Sequence, residues 1–119
     1  MTQETIEQVL KFRDDRNWKQ FHNPKDLAIS ICLEAAELLE VFQWSADDVR
    51  CAEKTDKIRK ELADVVNYCI LMADACGLDL DEIVQEKIRK NAEKYPVEKA
   101  YGSKEKYMEL KTEHRGGAQ

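Results

Sequence analysis

Glu34-Ala35-Ala36-Glu37 and Glu61-Leu62-Ala63-Asp64 are two short carboxylate pairs set in strongly apolar, helix-forming sequence. Residues three apart share one face of a helix, so each pair projects two oxygen ligands in one direction. Two such helices packed antiparallel would bring four carboxylates together. The flanking Ile29-Ser30-Ile31-Cys32-Leu33, Leu38-Leu39, Val65-Val66 and Ile70-Leu71-Met72 offer little polar surface to solvate them. Burying an unpaired carboxylate costs several kcal/mol, and a bound hard cation is the simplest compensation. Oxygen-only ligands favour magnesium, manganese or calcium over zinc. A di-iron bundle would need Glu-x-x-His motifs, and neither pair contains a histidine.

Outward from these pairs the chain reads as helix throughout. Ile6, Val9, Leu10 and Phe12 give a first amphipathic helix ending near Asp15. Asn23-Pro24 reads as an N-cap with proline in the first helical position, opening a second helix to about Trp44. Ser45 and Thr55 are start signals for a short helix and a long third one, which Gly77 ends. Asp79 with Glu82 caps a fourth helix, terminated by Tyr95-Pro96, and Lys104 to Lys111 forms one further short helix. Period-two alternation is missing, so the fold class is all-α, and short connections between long helices imply a four-helix-bundle type.

A chain of 119 residues is the size of one domain, here 1–111, with 112–119 expected as a flexible tail. Helices this apolar in so small a domain call for cover by further copies, a dimer or a dimer-of-dimers tetramer. The net charge of -5, with mixed-sign charges and no basic stripe, argues against a nucleic-acid polymer as partner. No run is long enough to cross a membrane and the start, Met1-Thr2-Gln3-Glu4, is unlike a signal peptide, so a cytoplasmic location is expected. Cys32, Cys51, Cys69 and Cys76 form no CxxC pair and read as reduced packing residues.

An acidic protein that holds a phosphorylated ligand needs some cations near it. Lys87, Asn91 and Lys94 fall on one face of the fourth helix and form such a stripe. Trp18, Phe21, Trp44 and Tyr68 are candidates for flat walls around a ring. Tyr68 and Asn67 follow Asp64 by one turn and would lie beside the metal stripe.

The ordered set Trp18, Phe21-His22-x-Pro24, Glu34-x-x-Glu37-x-x-Glu40-x-Phe42-Gln43-Trp44, Glu61-Leu62-Ala63-Asp64 and Asn91-x-x-Lys94-Tyr95-Pro96 resembles the MazG-like nucleotide pyrophosphohydrolases, and within them the dCTP pyrophosphatase branch. The resemblance runs from about Phe12 to Pro96. It implies an all-α, Mg2+-dependent enzyme, with Mn2+ as a substitute, that splits a nucleoside triphosphate between its α and β phosphates. The metal ligands would then be Glu34, Glu37, Glu61 and Asp64. Glu37 and Glu40 would be the catalytic carboxylates, Glu40 as a base or an outer-shell group. Trp18, His22 and Trp44 would belong to a pyrimidine pocket, Asn67 would bind the sugar or a water, and Lys87, Asn91 and Lys94 the phosphates. Lysine at position 94, where the family carries arginine, exchanges a bidentate fork for a point charge.

The expected function is therefore hydrolysis of dCTP or a modified dCTP to the monophosphate and pyrophosphate, as nucleotide-pool house-cleaning. One alternative keeps the reaction but changes the substrate to dUTP, another dNTP or a damaged nucleotide. The other is a non-catalytic helical module that binds metal or dimerises.

Overall fold

The computed structural model describes residues 1–117. Six α-helices follow one another without a strand among the described residues: α1 (Gln3–Asp15), α2 (Pro24–Glu40), α3 (Thr55–Ala75), α4 (Leu80–Lys94), α5 (Val97–Ala100) and α6 (Lys104–Gly117). Each long helix starts or stops where local chemistry dictates. The Thr2 hydroxyl accepts from the Thr5 N–H at 3.2 Å and Asn23 Oδ1 from the Asp26 N–H at 2.9 Å. Asp79 Oδ1 accepts from the Glu82 N–H at 3.0 Å. Such caps are each worth about 1 kcal/mol. Gly77 closes α3 in the left-handed conformation, with φ +67°, which glycine adopts without steric cost.

The α2–α3 connection departs from expectation. The second helix stops at Glu40 and residues 41–44 are turns, with Trp44 at φ +68°. Ser45 caps no helix. Instead Asp48 Oδ1 accepts from the N–H groups of Arg50 and Cys51, and a single 3-10 turn, Ala52–Lys54, leads into α3. Trp44, Ala46 and Cys51 all take positive φ, at about 1–2 kcal/mol each for a side-chain-bearing residue. The side chain of Lys54 crosses the connection and donates to the Val41 carbonyl at 3.2 Å.

The described residues group into two compact units, Met1–Leu78 and the chain from Asp79 onward. The boundary follows the left-handed Gly77 and precedes the Asp79 cap. In the first unit α3 packs against both α2 and α1, around Leu27, Val41, Cys51, Ile70, Leu71 and Ala73. Arg13 of α1 is only 4% exposed. Its Nη1 donates to Asp74 Oδ2 at 2.6 Å and its Nε to Asp14 Oδ1 at 2.8 Å, tying α1 to the end of α3. In the second unit α4 and α5 pack against α6, Tyr95 stacks on Tyr107 at 5.1 Å between ring centroids, and Leu110 is buried. The helix expected over 104–111 continues to Gly117, so 112–117 is helical backbone; the last two residues of the expected tail lie outside the described residues.

One further expectation changes. Cys51 is buried and Cys69 half-buried, but Cys32 and Cys76 are exposed, with Cys76 Sγ 3.9 Å from Met72 Sδ. Ile29, Leu33 and Leu62 are likewise exposed, at 47%, 61% and 50%. No helix among the described residues is long and apolar enough to cross a membrane.

Leu27 is 1% exposed at the start of α2. Leu27→Ala is expected to destabilise the protein by about 2–5 kcal/mol, measured as a lowered urea midpoint at unchanged slope; a loss under 1 kcal/mol would show that Leu27 is not a core residue.

Candidate active site

Lys54 meets Val41, and Glu37 and Glu34 meet Glu61 and Asp64, so residue numbers rise along α3 as they fall along α2. The two helices are therefore antiparallel, and both carboxylate pairs lie on their shared face. Glu34, Glu61 and Asp64 each offer a carboxylate oxygen, all within 4.8 Å of one another. Glu37 stands against Glu34 and Glu61, and Glu40 one turn on completes the acidic stripe.

The electrostatics of this cluster are unfavourable without a cation. The Glu37 carboxyl is pushed above its ordinary value, mainly by its hydrogen bond with Glu34 and also by the charges of Glu34 and Glu40 and by burial, although its hydrogen bond with Glu61 pulls the other way. Glu61 is pushed up first by burial and then by Glu37 and Asp64, against a small opposing effect of Lys60. Glu34 Oε2 and Glu61 Oε2 are fully buried and have no hydrogen-bond partner. A buried carboxylate oxygen without a donor is costly, and a hard divalent cation is the ligand that oxygen donors of this kind accommodate. The residues present therefore fit a divalent metal.

Beside the carboxylates lies a cavity of about 440 Å³ lined by Thr5, Gln8, Val9, Phe12, Arg13, Trp18, His22, Asp64, Asn67, Tyr68 and Leu71. Two helical stripes make its walls: Thr5, Gln8, Val9 and Phe12 recur at helical spacing on α1, and Asp64, Asn67, Tyr68 and Leu71 on α3. The α1–α2 connection supplies Trp18 and His22. Phe12 meets Trp18 edge to face at 5.9 Å, and the Arg16 guanidinium lies 3.6 Å from the Phe12 ring centre. His22 Nδ1 is buried and unpartnered. Burial, then the nearby charge of Arg13, lowers the pKa of His22, favouring neutral imidazole.

The cavity thus brings together Trp18, His22, Asp64, Asn67 and Tyr68 from the residues singled out in the sequence. Trp44 does not line it and is 91% exposed on the turn after α2. Lys87 and Asn91 are exposed and Lys94 half-buried on α4 of the second unit, with Lys94 Nζ 5.3 Å from the Tyr95 ring centre. Sequence reasoning missed the α1 wall and Arg13. The spacing of Thr5, Val9 and Phe12 was a legible signal for the wall; nothing local marked Arg13 as buried, because its partner Asp74 is 61 positions away.

Residues 29–110 match the model of the MazG-like family, and the chain belongs to that family. It shares 34% identity over 105 residues with dCTP pyrophosphatase 1 of Mus musculus, and 34% over 105 residues with that of Homo sapiens. In both cases the match covers 84% of this chain and 62% of the relative, so the chain spans less than two thirds of the length of these curated relatives. Among solved structures, a pyrophosphatase from Archaeoglobus fulgidus is similar with a TM-score of 0.72 and 39% identity, over 78% of this chain and 90% of that one.

The raised pKa values have a consequence for stability. A carboxyl that titrates higher in the folded state than in the unfolded chain binds more protons when folded, so its stabilising effect is present at low pH and is lost as pH rises through the folded value. Metal-free protein should therefore lose melting temperature as pH rises from about 4.3 toward neutrality. Glu61→Gln should flatten that fall, and magnesium at about 100 times its Kd should restore about 2.7 kcal/mol at neutral pH. Equal pH dependence in wild type and Glu61→Gln, with no response to magnesium, would contradict this account.

Proposed function

We propose that this protein is a magnesium-dependent nucleoside triphosphate pyrophosphohydrolase acting on dCTP or a base-modified dCTP. One observation carries the reading: Asp64 belongs both to the carboxylate cluster and to the wall of the aromatic cavity. A ligand with a flat ring in the cavity would extend its charged end toward the carboxylates. A nucleotide has that form. The names of the Mus musculus and Homo sapiens relatives favour dCTP among the nucleotides.

Glu34, Glu61 and Asp64, with Glu37 beside them, would hold magnesium, with manganese as a substitute. When bound, the ion neutralises charge on phosphate oxygens and lowers the pKa of a coordinated water. The chain's own residues then have separable tasks. Trp18 and Tyr68 offer faces on which a base can stack, while Asn67, one turn past Asp64, is placed for the sugar. Glu37, a carboxylate standing against Glu34 and Glu61 on the same face, is placed to accept a proton from the attacking water, with Glu40 one turn further along. Water oxygen attacks the α-phosphorus, the bond from that phosphorus to the α,β-bridging oxygen breaks, and pyrophosphate leaves with the monophosphate left behind.

Exposed Ile29, Leu33 and Leu62 beside the acidic face support assembly into a dimer or tetramer, since burying apolar surface contributes about 25 cal/mol per Å².

The test is a panel of deoxynucleoside and ribonucleoside triphosphates with magnesium, resolving monophosphate plus pyrophosphate from diphosphate plus phosphate. dCTP should give dCMP and pyrophosphate, and Asp64→Asn should lower kcat/KM by about 100-fold or more, as expected when several kcal/mol of charge stabilisation is lost. Failure to turn over any nucleotide would leave a metal-binding helical module as the better description.

A further inference from the structure

The cavity contains one cation, and the geometry around it is unusual. The Arg13 side chain is buried, yet it lines the cavity, where nothing in the catalytic scheme above uses it. Two of its five N–H groups are committed, Nε to Asp14 at 2.8 Å and Nη1 to Asp74 at 2.6 Å. Among the described residues, no acceptor is bonded to Nη2. A guanidinium held on two sides by carboxylates is fixed in orientation. Its remaining edge is therefore a preorganised donor.

Charge decides what that edge would accept. Asp14 and Asp74 together more than offset the guanidinium, and Asp64 adds a further negative charge to the same cavity. Such a site disfavours a polyphosphate and suits a neutral acceptor. The flanking Phe12, Trp18 and Tyr68 provide aromatic surface for a planar ring. The buried, unpartnered Nδ1 of His22 offers a second polar group to the edge of that ring. Leaving such groups unmatched is costly, which is how a pocket rejects a ligand lacking the complementary atom.

We infer that Arg13 is a specificity-determining residue: its free guanidinium edge donates to an acceptor, a carbonyl oxygen or ring nitrogen, on the edge of a pyrimidine base held between the α1 and α3 walls. Asp14 and Asp74 are positioning residues that hold the donor in place. The inference deepens the reading of the site as a nucleotide pocket, and rests on that reading only where turnover is measured.

The experiment compares wild type, Arg13→Lys and Arg13→Met in two measurements on the full chain. The first measures steady-state turnover of dCTP with magnesium, and inhibition of it by 2-deoxyribose 5-triphosphate, which has no base. The second measures calorimetric binding of deoxycytidine to metal-free protein, which needs no hydrolysis. Loss of one charge-assisted hydrogen bond should raise KM for dCTP by about 10- to 100-fold and weaken deoxycytidine by a similar factor. Inhibition by the base-less triphosphate should stay within about threefold of wild type, and most of the loss should fall in KM rather than kcat. Arg13→Lys keeps a cation opposite Asp74 and so separates a folding defect from a recognition defect; its melting temperature is the control. Equal weakening of dCTP and of the base-less compound, or unchanged dCTP and deoxycytidine in Arg13→Lys, would overturn the inference. If wild type hydrolyses no nucleotide but binds deoxycytidine in an Arg13-dependent way, the hydrolase reading fails and the recognition by Arg13 stands.

Discussion

Mutual repulsion among Glu34, Glu37, Glu61 and Asp64 is the constraint around which the first unit is organised. Antiparallel packing of α2 on α3 forces these side chains onto a shared face, and two of their oxygens are buried without a donor. A hydrophobic interface would rank such a register poorly on its own terms. It is held by apolar burial of residues such as Leu27, Ile70 and Leu71, by the Lys54 side chain spanning the connection, and by a loop that accepts three positive-φ residues other than glycine. Local strain and charge repulsion at one place, offset by ordinary packing elsewhere, is the pattern expected of a functional site.

The first helix has a different task. It contributes little to the carboxylate face, yet its Thr5–Phe12 stripe is one full wall of the cavity. Arg13 fastens that wall to α3 through Asp74, and the Arg13 carbonyl accepts from the N–H groups of Arg16 and Trp18 at 3.2 and 3.1 Å. Side chain and backbone of one residue thus set the positions of the facing helix and of the connection that carries Trp18 and His22. The site is thus acidic at one end and aromatic at the other.

The helices were legible in the sequence to within a few residues because their signals are local: caps at Asn23 and Asp79, proline at position 24, and glycine at position 77 each act on their own turn of backbone. The second helix overran in the reading because Val41, Phe42 and Trp44 continue its apolar pattern; nothing in that stretch signals that Trp44 takes a left-handed conformation. Likewise, Gly116-Gly117 suggested a loose end, whereas α6 carries helical backbone through both.

What the sequence by itself determined was which residues are capable of the chemistry: helical spacing places Glu34 with Glu37, Glu61 with Asp64, and Asp64 with Asn67 and Tyr68, since a 3.6-residue period is a property of the backbone alone. Only the tertiary structure decided which of these faces meet. It grouped Glu34 with Glu61 and Asp64, turned the α1 stripe toward Tyr68, buried Arg13 against Asp74, and left Trp44 on an exposed turn. The physical reason is that helix periodicity is fixed by bonds four residues apart, whereas register and burial depend on contacts between positions tens of residues apart, which no local pattern encodes.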